Sequence, residues 1–272
     1  MRGAASDHVR VGSVEEAVQA LGQANGEGKI LAGGQSLASV LALRKARPAV
    51  LVDVNRIPDL AMIRPGADPS GSVEVGALVR HSMLVGQTDH PLLAEAARWI
   101  GHAAIRSRGT TGGSIAHADP TAELPVVALA TGAIVHVAGP RGVRTVAASK
   151  LFVDALTTSL ADDEMVTAVR FPLPTRWGFA EFARRHGDFA LVTAVVAEVG
   201  GVVHVALGGV AGVPVRAAAA ERVIARGRTA REASQAAAEA IEPSADLHGS
   251  APFRRAISAE LVRRALLQAG IG

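Results

Sequence analysis

In the first two-thirds of the chain, short apolar runs alternate with glycine and polar residues. Ser13, followed three residues later by Glu16, forms a capping-box pattern and predicts a helix that ends at Asn25-Gly26. Further helices are predicted over 41–47, 92–100 and 122–130, and strands over 29–32, 49–54, 73–77, 133–137, 143–146 and 164–171. This order lacks the strand–helix alternation that is typical of a parallel nucleotide-binding sheet.

The composition shifts around residues 174–178, where we place the boundary between a first domain (residues 1–174) and a second domain (residues 175–272). In the second domain two apolar runs flank Gly200-Gly201, which predicts a β-hairpin. The runs cover 190–199 and 202–207, and helices are predicted over 217–226, 229–241 and 250–268. The chain is therefore predicted to be an α+β protein whose second domain is an antiparallel sheet backed by helices.

Two glycine-rich segments are the main candidates for a binding site. The first, Ala-Gly-Gly-Gln-Ser-Leu at 32–37, follows a predicted strand, and the second lies within a predicted loop over 106–120 and contains Thr-Thr-Gly-Gly-Ser at 110–114. Glycine lets a ligand approach the backbone, and successive free N–H groups bind anions. Two such loops could hold the two phosphates of a dinucleotide. Ser36 alone is equally consistent with a turn or helix cap, and neither segment matches a P-loop or G-x-G-x-x-G motif.

The residue types that are absent limit the chemistry. The chain has no cysteine and no tyrosine, which excludes disulfides, thiol catalysis, thiolate zinc sites and ordinary iron–sulfur clusters within it. No catalytic triad can be assembled, and His102 and His117 lack the spacing of metal ligands. Asp119 is interpreted as the cap of the helix that follows it, with Glu123 in that helix's first turn. Cofactor binding is therefore favoured over hydrolysis.

Charge and hydropathy exclude further classes. The formal net charge is only +3, and the basic residues, nearly all arginine, are interleaved with acidic ones, which argues against nucleic-acid binding. Residues 1–8 lack the apolar core of a signal peptide. The most apolar region, 189–215, is interrupted by glycine, glutamate and histidine and does not predict a membrane span. We expect a soluble cytoplasmic protein.

Seven stretches resemble one family in order along the chain. They are Leu-Ala-Gly-Gly-Gln-Ser-Leu at 31–37, Leu-Val-Asp-Val-Asn-Arg-Ile-Pro at 51–58, Gly-Ala-Leu-Val-Arg-His at 76–81, the stretch from Ile-Arg-Ser-Arg-Gly to Glu-Leu-Pro at 105–125, Arg-His-Gly-Asp-Phe-Ala-Leu-Val at 185–192, Ala-Leu-Gly-Gly-Val at 206–210 and Ile-Glu-Pro-Ser-Ala-Asp-Leu-His-Gly-Ser at 241–250. Together they resemble the FAD-binding medium subunit of molybdenum hydroxylases, the carbon monoxide dehydrogenase and xanthine dehydrogenase group.

The resemblance implies a fold and a set of site residues. The fold is a bipartite FAD-binding domain of the vanillyl-alcohol-oxidase (PCMH) type, followed by a C-terminal α+β domain. The FAD-binding residues implied are Ala32, Gly33, Gly34, Gln35, Ser36, Leu37, Thr110, Thr111, Gly112, Gly113 and Ser114. It also implies that Ile100 lies near the flavin, that Glu123 hydrogen-bonds FAD, and that Met165 or Val166 flanks the isoalloxazine. Glu181 or a neighbour stands where some members have lysine, with Arg184 and Arg185 as possible substitutes.

The resemblance further implies a role within a complex. A large molybdopterin subunit would hydroxylate the substrate, a small subunit would carry 2Fe-2S clusters, and this chain would pass electrons through FAD to an external acceptor. The assembly implied is a dimer of heterotrimers, in which this chain has no catalytic acid or base and does not act on substrate alone. The alternatives are a self-sufficient FAD-dependent oxidase or reductase, and a non-redox scaffold with a vestigial FAD site. The sequence does not identify the substrate of the complex or its electron acceptor.

Overall fold

The structure, a computed structural model, describes residues 7–67, 71–87 and 89–272. The expectation that the N-terminus carries no signal peptide falls mostly on residues 1–6, outside the described residues. The helices are α1 (Val14–Gln23), α2 (Gln35–Ala42), α3 (His81–Val85), α4 (Pro91–Trp99), α5 (Ala103–Arg106), α6 (Thr111–His117), α7 (Glu123–Thr131), α8 (Ala148–Leu151), α9 (Ala218–Ala225), α10 (Ala230–Glu239) and α11 (Ala251–Gln268), with a 3-10 turn at Pro58–Ala61.

Within the described residues, the strands form three sheets and a small ribbon. They are β1 (Asp7–Arg10), β2 (Gly28–Leu31), β3 (Val50–Asp53), β4 (Ile63–Pro65), β5 (Ser72–Gly76), β6 (Ile134–Gly139), β7 (Gly142–Ala147), β8 (Phe152–Asp154), β9 (Thr157–Thr158), β10 (Met165–Pro172), β11 (Arg176–Phe182), β12 (Val192–Val199), β13 (Val202–Gly208) and β14 (Val215–Arg216). A parallel sheet has the order β1-β3-β2, an antiparallel sheet the order β4-β5-β10-β6-β7, and the C-terminal sheet the order β11-β12-β13-β14. The prediction of an α+β fold is confirmed.

Helix α7 lies at the centre of the molecule. All nine of its residues are buried, as expected for a helix that is enclosed on every side. Buried side chains from this helix, from α4 and from the five-stranded sheet form one core with Phe179, Val195 and Ala206 of the C-terminal sheet. The opposite face of the C-terminal sheet packs on α9, α10 and α11 in a second core. The C-terminal sheet is thus covered on both faces.

Local capping explains where several helices begin. In α10 the Thr229 side chain accepts from the Glu232 N–H, and the Glu232 carboxylate accepts from the Thr229 N–H, which is a complete capping box. In α1 only half of the predicted box forms. Ser13 accepts from the Glu16 N–H, but the Glu16 carboxylate accepts from the Gly12 N–H instead of that of Ser13.

Three local predictions are wrong. The helix predicted over 41–47 lies earlier, as α2, because Gly34 with φ of 73° turns the chain directly into it. The second glycine segment is not a loop, since Thr110 caps α6 and the glycines lie inside that helix. Asp119 does not cap α7, because its carboxylate accepts from the N–H and hydroxyl of Thr121 instead, and the residue at the cap is Ala122.

Candidate functional site

The structure places the first predicted glycine segment against residues 108–109, which come directly before the second segment. Gly33 faces the backbone just before the second segment: a Cβ atom there would lie 2.2 Å from the Arg108 carbonyl oxygen and 3.0 Å from the Gly109 Cα. The first distance is too short for any side-chain atom, and the second is tighter than most contacts of a Cβ atom. Glycine at position 33 is therefore required by the close approach of the two backbones.

The first glycine segment (residues 32–37) has the features of an anion site. Ala32 follows β2, and Gly34 begins α2 without any side-chain cap. The first N–H groups of an α-helix lack partners within the helix, and here they belong to Gln35, Ser36 and Leu37. Gln35 and Ser36 are exposed. The helix dipole adds positive potential at this end, so the segment suits a phosphate.

The second glycine segment (residues 110–114) is built differently. Thr111 N–H donates to the Val79 carbonyl (2.9 Å) and Gly112 N–H to the Ala77 carbonyl (2.9 Å). Gly113 N–H donates to the Thr110 hydroxyl (3.2 Å). Thr110, Thr111 and Gly112 are buried, whereas Gly113 is exposed and Ser114 half-buried. The segment therefore offers a ligand a close approach at Gly113 and Ser114 and not a row of free N–H groups.

A diphosphate fits this arrangement in two respects. The uncapped start of α2 supplies N–H donors, and the exposed Gly113 leaves room for a group to lie against the backbone of α6. The fit depends on both segments, because Gly33, near the start of the first, packs against Arg108 and Gly109, directly before the second. Contact between these residues and FAD stays a prediction.

Residues outside the predicted set join the two segments. Asn55, which follows β3, donates its side-chain N–H to the Ala32 carbonyl (2.9 Å). Its side-chain oxygen accepts from Arg80 (2.7 Å), and the same guanidinium donates to the Arg108 carbonyl. Sequence reasoning missed Asn55 and Arg80. A signal was present, since both lie in motifs that resemble the family.

A neutral histidine supports the second segment from inside the protein. His81 is 6% exposed, and a Cβ atom on Gly109 would lie 2.8 Å from its Nδ1. Burial lowers the pKa of His81 to about 4, and the positive charges of Arg80 and Arg106 act in the same direction. The ring is uncharged at neutral pH and acts as a packing surface beneath Gly109.

Two buried carboxyl groups lie close together, one in α7 and one in the C-terminal sheet. Glu123 is the first residue of α7 and is 7% exposed, whereas Glu181 lies in β11 and is 9% exposed. One Glu181 oxygen accepts from the Thr193 hydroxyl (3.1 Å), and the other is buried without a partner among the described residues. Burial raises the pKa of both groups, and their mutual repulsion adds to the rise at Glu181. At least one of the two is protonated at neutral pH.

The other predicted residues are apolar and buried. Ile100, 8% exposed, ends α4, and its carbonyl accepts from Arg106 (3.1 Å). Met165 and Val166 begin β10, and their side chains belong to two different cores. Strand β10 nevertheless lies close to the second segment, because Ala77 connects them. Its N–H donates to the Thr167 carbonyl of β10, and its carbonyl accepts from the Gly112 N–H. The roles of these residues beside a flavin stay predictions.

An open groove of about 570 Å³ lies elsewhere on the molecule. It is lined by Glu95 of α4, by Arg176 and Phe179 of β11 and by Gln268 at the end of α11, among others. None of the residues predicted to bind FAD lines it. Over 7–67, 71–87 and 89–272, no three His, Asp or Glu side chains are grouped as metal ligands would be. In the same ranges no helix has both the length and the apolar character needed to cross a bilayer.

Two family models together match almost the entire chain. Residues 4–174 match the FAD binding domain in molybdopterin dehydrogenase. Residues 177–269 match the carbon monoxide dehydrogenase flavoprotein C-terminal domain.

Individual proteins are similar over nearly their full length. The chain is 40% identical to the nicotine 6-hydroxylase medium subunit of Paenarthrobacter nicotinovorans, over 95% of each chain. Among solved structures, it superposes on carbon monoxide dehydrogenase of Hydrogenophaga pseudoflava with a TM-score of 0.92 at 37% identity, covering 99% of each chain. It superposes on quinoline 2-oxidoreductase of Pseudomonas putida 86 with a TM-score of 0.89 at 33% identity, covering 99% of this chain and 98% of the other.

Proposed function

Because this chain belongs to the family of FAD-binding medium subunits of molybdenum hydroxylases, we propose that it carries electrons within such a complex. FAD is its cofactor, and bound FAD supplies a redox centre that can take up electrons and pass them on. We propose that the electrons come from 2Fe-2S clusters in a small partner subunit and leave to an external acceptor. Substrate hydroxylation would take place at molybdopterin in a large partner subunit.

The observation that carries the proposal is the close approach of the first glycine segment to the residues that directly precede the second. The two stretches come from distant parts of the sequence and meet at Gly33 and Arg108, beside the uncapped start of α2. We assign the diphosphate of FAD to this junction, with the N–H groups of Gln35 and Ser36 as donors and Gly113 and Ser114 as the opposing surface. Glu123, Ile100, Met165 and Val166 complete the proposed site further along the cofactor.

The composition supports a subunit role. A chain without cysteine cannot ligate an iron–sulfur cluster through thiolates, so the clusters would belong to a partner. The similar nicotine 6-hydroxylase chain is named a medium subunit and a similar carbon monoxide dehydrogenase chain a medium chain, which supports further subunits. We propose a dimer of heterotrimers, with residues 1–174 and 175–272 as the two domains of this chain and no substrate turnover by the chain alone.

The test is a visible spectrum of the purified chain before and after addition of FAD, with the bound cofactor released and identified. We expect FAD to be bound, and no substrate to be oxidised by the chain with an artificial electron acceptor. Adding the large and small subunits should restore turnover. Turnover by the isolated chain would instead identify a self-sufficient flavoenzyme, and a folded chain that takes up no FAD, alone or with partners, would identify a scaffold.

A further inference from the structure

We propose that Asn55 and Arg80 form a clasp that holds the two glycine segments together before FAD binds, and that both are positioning residues for the cofactor. The inference rests on the proposed function and extends it to residues whose side chains lie outside both segments. It is carried by a continuous chain of hydrogen bonds that begins at one segment and ends beside the other.

The clasp begins at the first segment. The Asn55 side-chain amide donates to the carbonyl oxygens of Ala32 (2.9 Å) and Leu31 (3.2 Å), where β2 leads into the glycines. Asp53 fixes this amide, because its Oδ1 accepts from both the side-chain N–H (2.7 Å) and the backbone N–H (3.0 Å) of Asn55. The Asn55 side-chain oxygen is thereby directed away from β2 and accepts from Arg80 (2.7 Å).

Arg80 completes the link to the second segment in two ways. Its backbone forms an isolated β-bridge with Thr110, the cap of α6. Its guanidinium donates one N–H to Asn55 and another to the Arg108 carbonyl. That carbonyl oxygen is the atom nearest to a Cβ placed on Gly33. One planar side chain therefore fixes the Gly33–Arg108 junction, a task for which the rigid fork of arginine is suited and the single ammonium of lysine is not.

The charge of the clasp points toward an anion. The acceptors of Arg80 are an amide oxygen and a carbonyl oxygen rather than a carboxylate. Burial lowers the pKa of Arg80, and the nearby positive charge of Arg108 lowers it further, so the two arginines repel each other. A diphosphate bound beside the glycine segments would attract both guanidinium groups and offset their mutual repulsion.

The experiment compares FAD affinity and backbone protection in full-length variants. Arg80→Met keeps the length of the side chain but removes the fork and the charge, Arg80→Lys restores only the charge, and Asn55→Ala removes the link without changing any charge. Arg255→Met is the control, because Arg255 also donates to a backbone carbonyl, that of Ile241, in the C-terminal domain. FAD affinity is measured by the change in flavin fluorescence on titration, and amide hydrogen exchange is measured without FAD.

We expect Arg80→Met and Asn55→Ala each to weaken FAD binding about tenfold or more, as loss of a charged hydrogen bond would. Combining them should add little to the larger single effect, because both break the same link. Arg80→Lys should recover only part of the affinity, and Arg255→Met should bind as the original chain does. Without FAD, exchange should quicken at residues 31–37 and 107–114 in the clasp variants and stay unchanged elsewhere.

Two outcomes would overturn the clasp. One is normal FAD affinity in Asn55→Ala together with weak binding in Arg80→Met, which would mean that Arg80 acts through its charge alone. The other is unchanged exchange at both segments in every variant. If the original chain binds no FAD, either alone or with its partner subunits, the proposed function fails, and the exchange measurement still decides whether the clasp orders the segments.

Discussion

Gly33 has room for a hydrogen atom and nothing larger on the side that faces Arg108 and Gly109. Its backbone does not need a positive φ, so the requirement for glycine comes from the neighbouring chain and not from the local conformation. The close packing at Gly33 therefore fixes the position of the first glycine segment relative to the second.

Gly33→Ala should therefore separate the two segments. The new Cβ would lie 2.2 Å from the Arg108 carbonyl oxygen, which cannot move without displacing its own backbone. We expect FAD affinity to fall about tenfold or more, the cost of a displaced contact shared by both segments, in a fluorescence titration. The matched control is Gly22→Ala in the last turn of α1, where a Cβ meets nothing within 4 Å, and that variant should be neutral or more stable by up to about 1 kcal/mol.

Glu181 gives a second prediction at this scale, for the pH dependence of stability. Burial raises its pKa in the folded chain to about 9 from an ordinary value of 4.5, with repulsion from Glu123 in the same direction. The folded state then holds a proton that the unfolded state releases. Stability is accordingly full below about pH 4.5 and falls as the pH rises toward 9.

Glu181→Gln should flatten that decline, because glutamine does not titrate. Thermal unfolding from pH 5 to pH 8 should show a smaller loss of midpoint temperature in Glu181→Gln than in the original chain. Glu123 and Asp119 are unchanged in the variant, so a residual slope from the raised pKa of Glu123 should persist. Glu239→Gln, at an exposed position in α10, serves as the control and should keep the original slope. Parallel curves for Glu181→Gln and the original chain would contradict the prediction.

At the scale of elements, two helices begin with the same cap but in different surroundings. In α6 the Thr110 hydroxyl accepts from the Gly113 N–H at 3.2 Å, and in α10 the Thr229 hydroxyl accepts from the Glu232 N–H at 3.2 Å. Helix α6 carries the second glycine segment, whereas α10 packs in the C-terminal core. Comparing the two caps therefore distinguishes the contribution of a helix to overall stability from its contribution to the binding site.

Thr110→Ala and Thr229→Ala should each destabilise the chain by about 1 kcal/mol, the usual cost of losing a side-chain cap. Only Thr110→Ala should also weaken FAD binding, because it frees the start of α6 beside the clasp. Chemical denaturation and FAD titration of both variants provide the measurements. Equal loss of FAD affinity in the two would show that α6 affects binding through global stability alone.

At the scale of the whole molecule, the C-terminal sheet joins the two predicted domains. One face shares a core with α7 and α4, and the other with α9, α10 and α11. The predicted boundary at residues 174–175 therefore separates segments of sequence that meet again across a common core. Phe179, Val195 and Ala206 would lose their cover if residues 1–174 were removed.

Neither half should be stable by itself. The fragments 1–174 and 175–272, produced separately, should show broad, non-cooperative unfolding, because each exposes apolar surface that the other covers. Mixed or co-produced, they should associate and regain a cooperative transition. Circular dichroism during thermal unfolding, with size-exclusion chromatography, would check this. A sharp transition in isolated 175–272 would show that the second helical layer suffices.

Some secondary-structure elements could be predicted from the sequence and others could not. The hairpin at Gly200-Gly201, the start of α4 at Pro91 and the capping box of α10 are confirmed, since each depends on backbone conformation or hydrogen bonds within a few residues. The helical character of residues 111–117 was missed, because a run rich in glycine has low helix propensity. Burial and the Thr110 cap outweigh that propensity here.

The sequence by itself determined the α+β class, the family and the two glycine segments, because these follow from patterns and motifs that are read along the chain. Only the tertiary structure decided that Gly33 packs against Arg108, directly before the second segment, that Asn55 and Arg80 link the two segments, and that Glu181 is buried near Glu123. The physical reason is that hydrogen bonds, close contacts and desolvation depend on atoms from distant elements. Their distances exist only once the sheets and α7 have packed together.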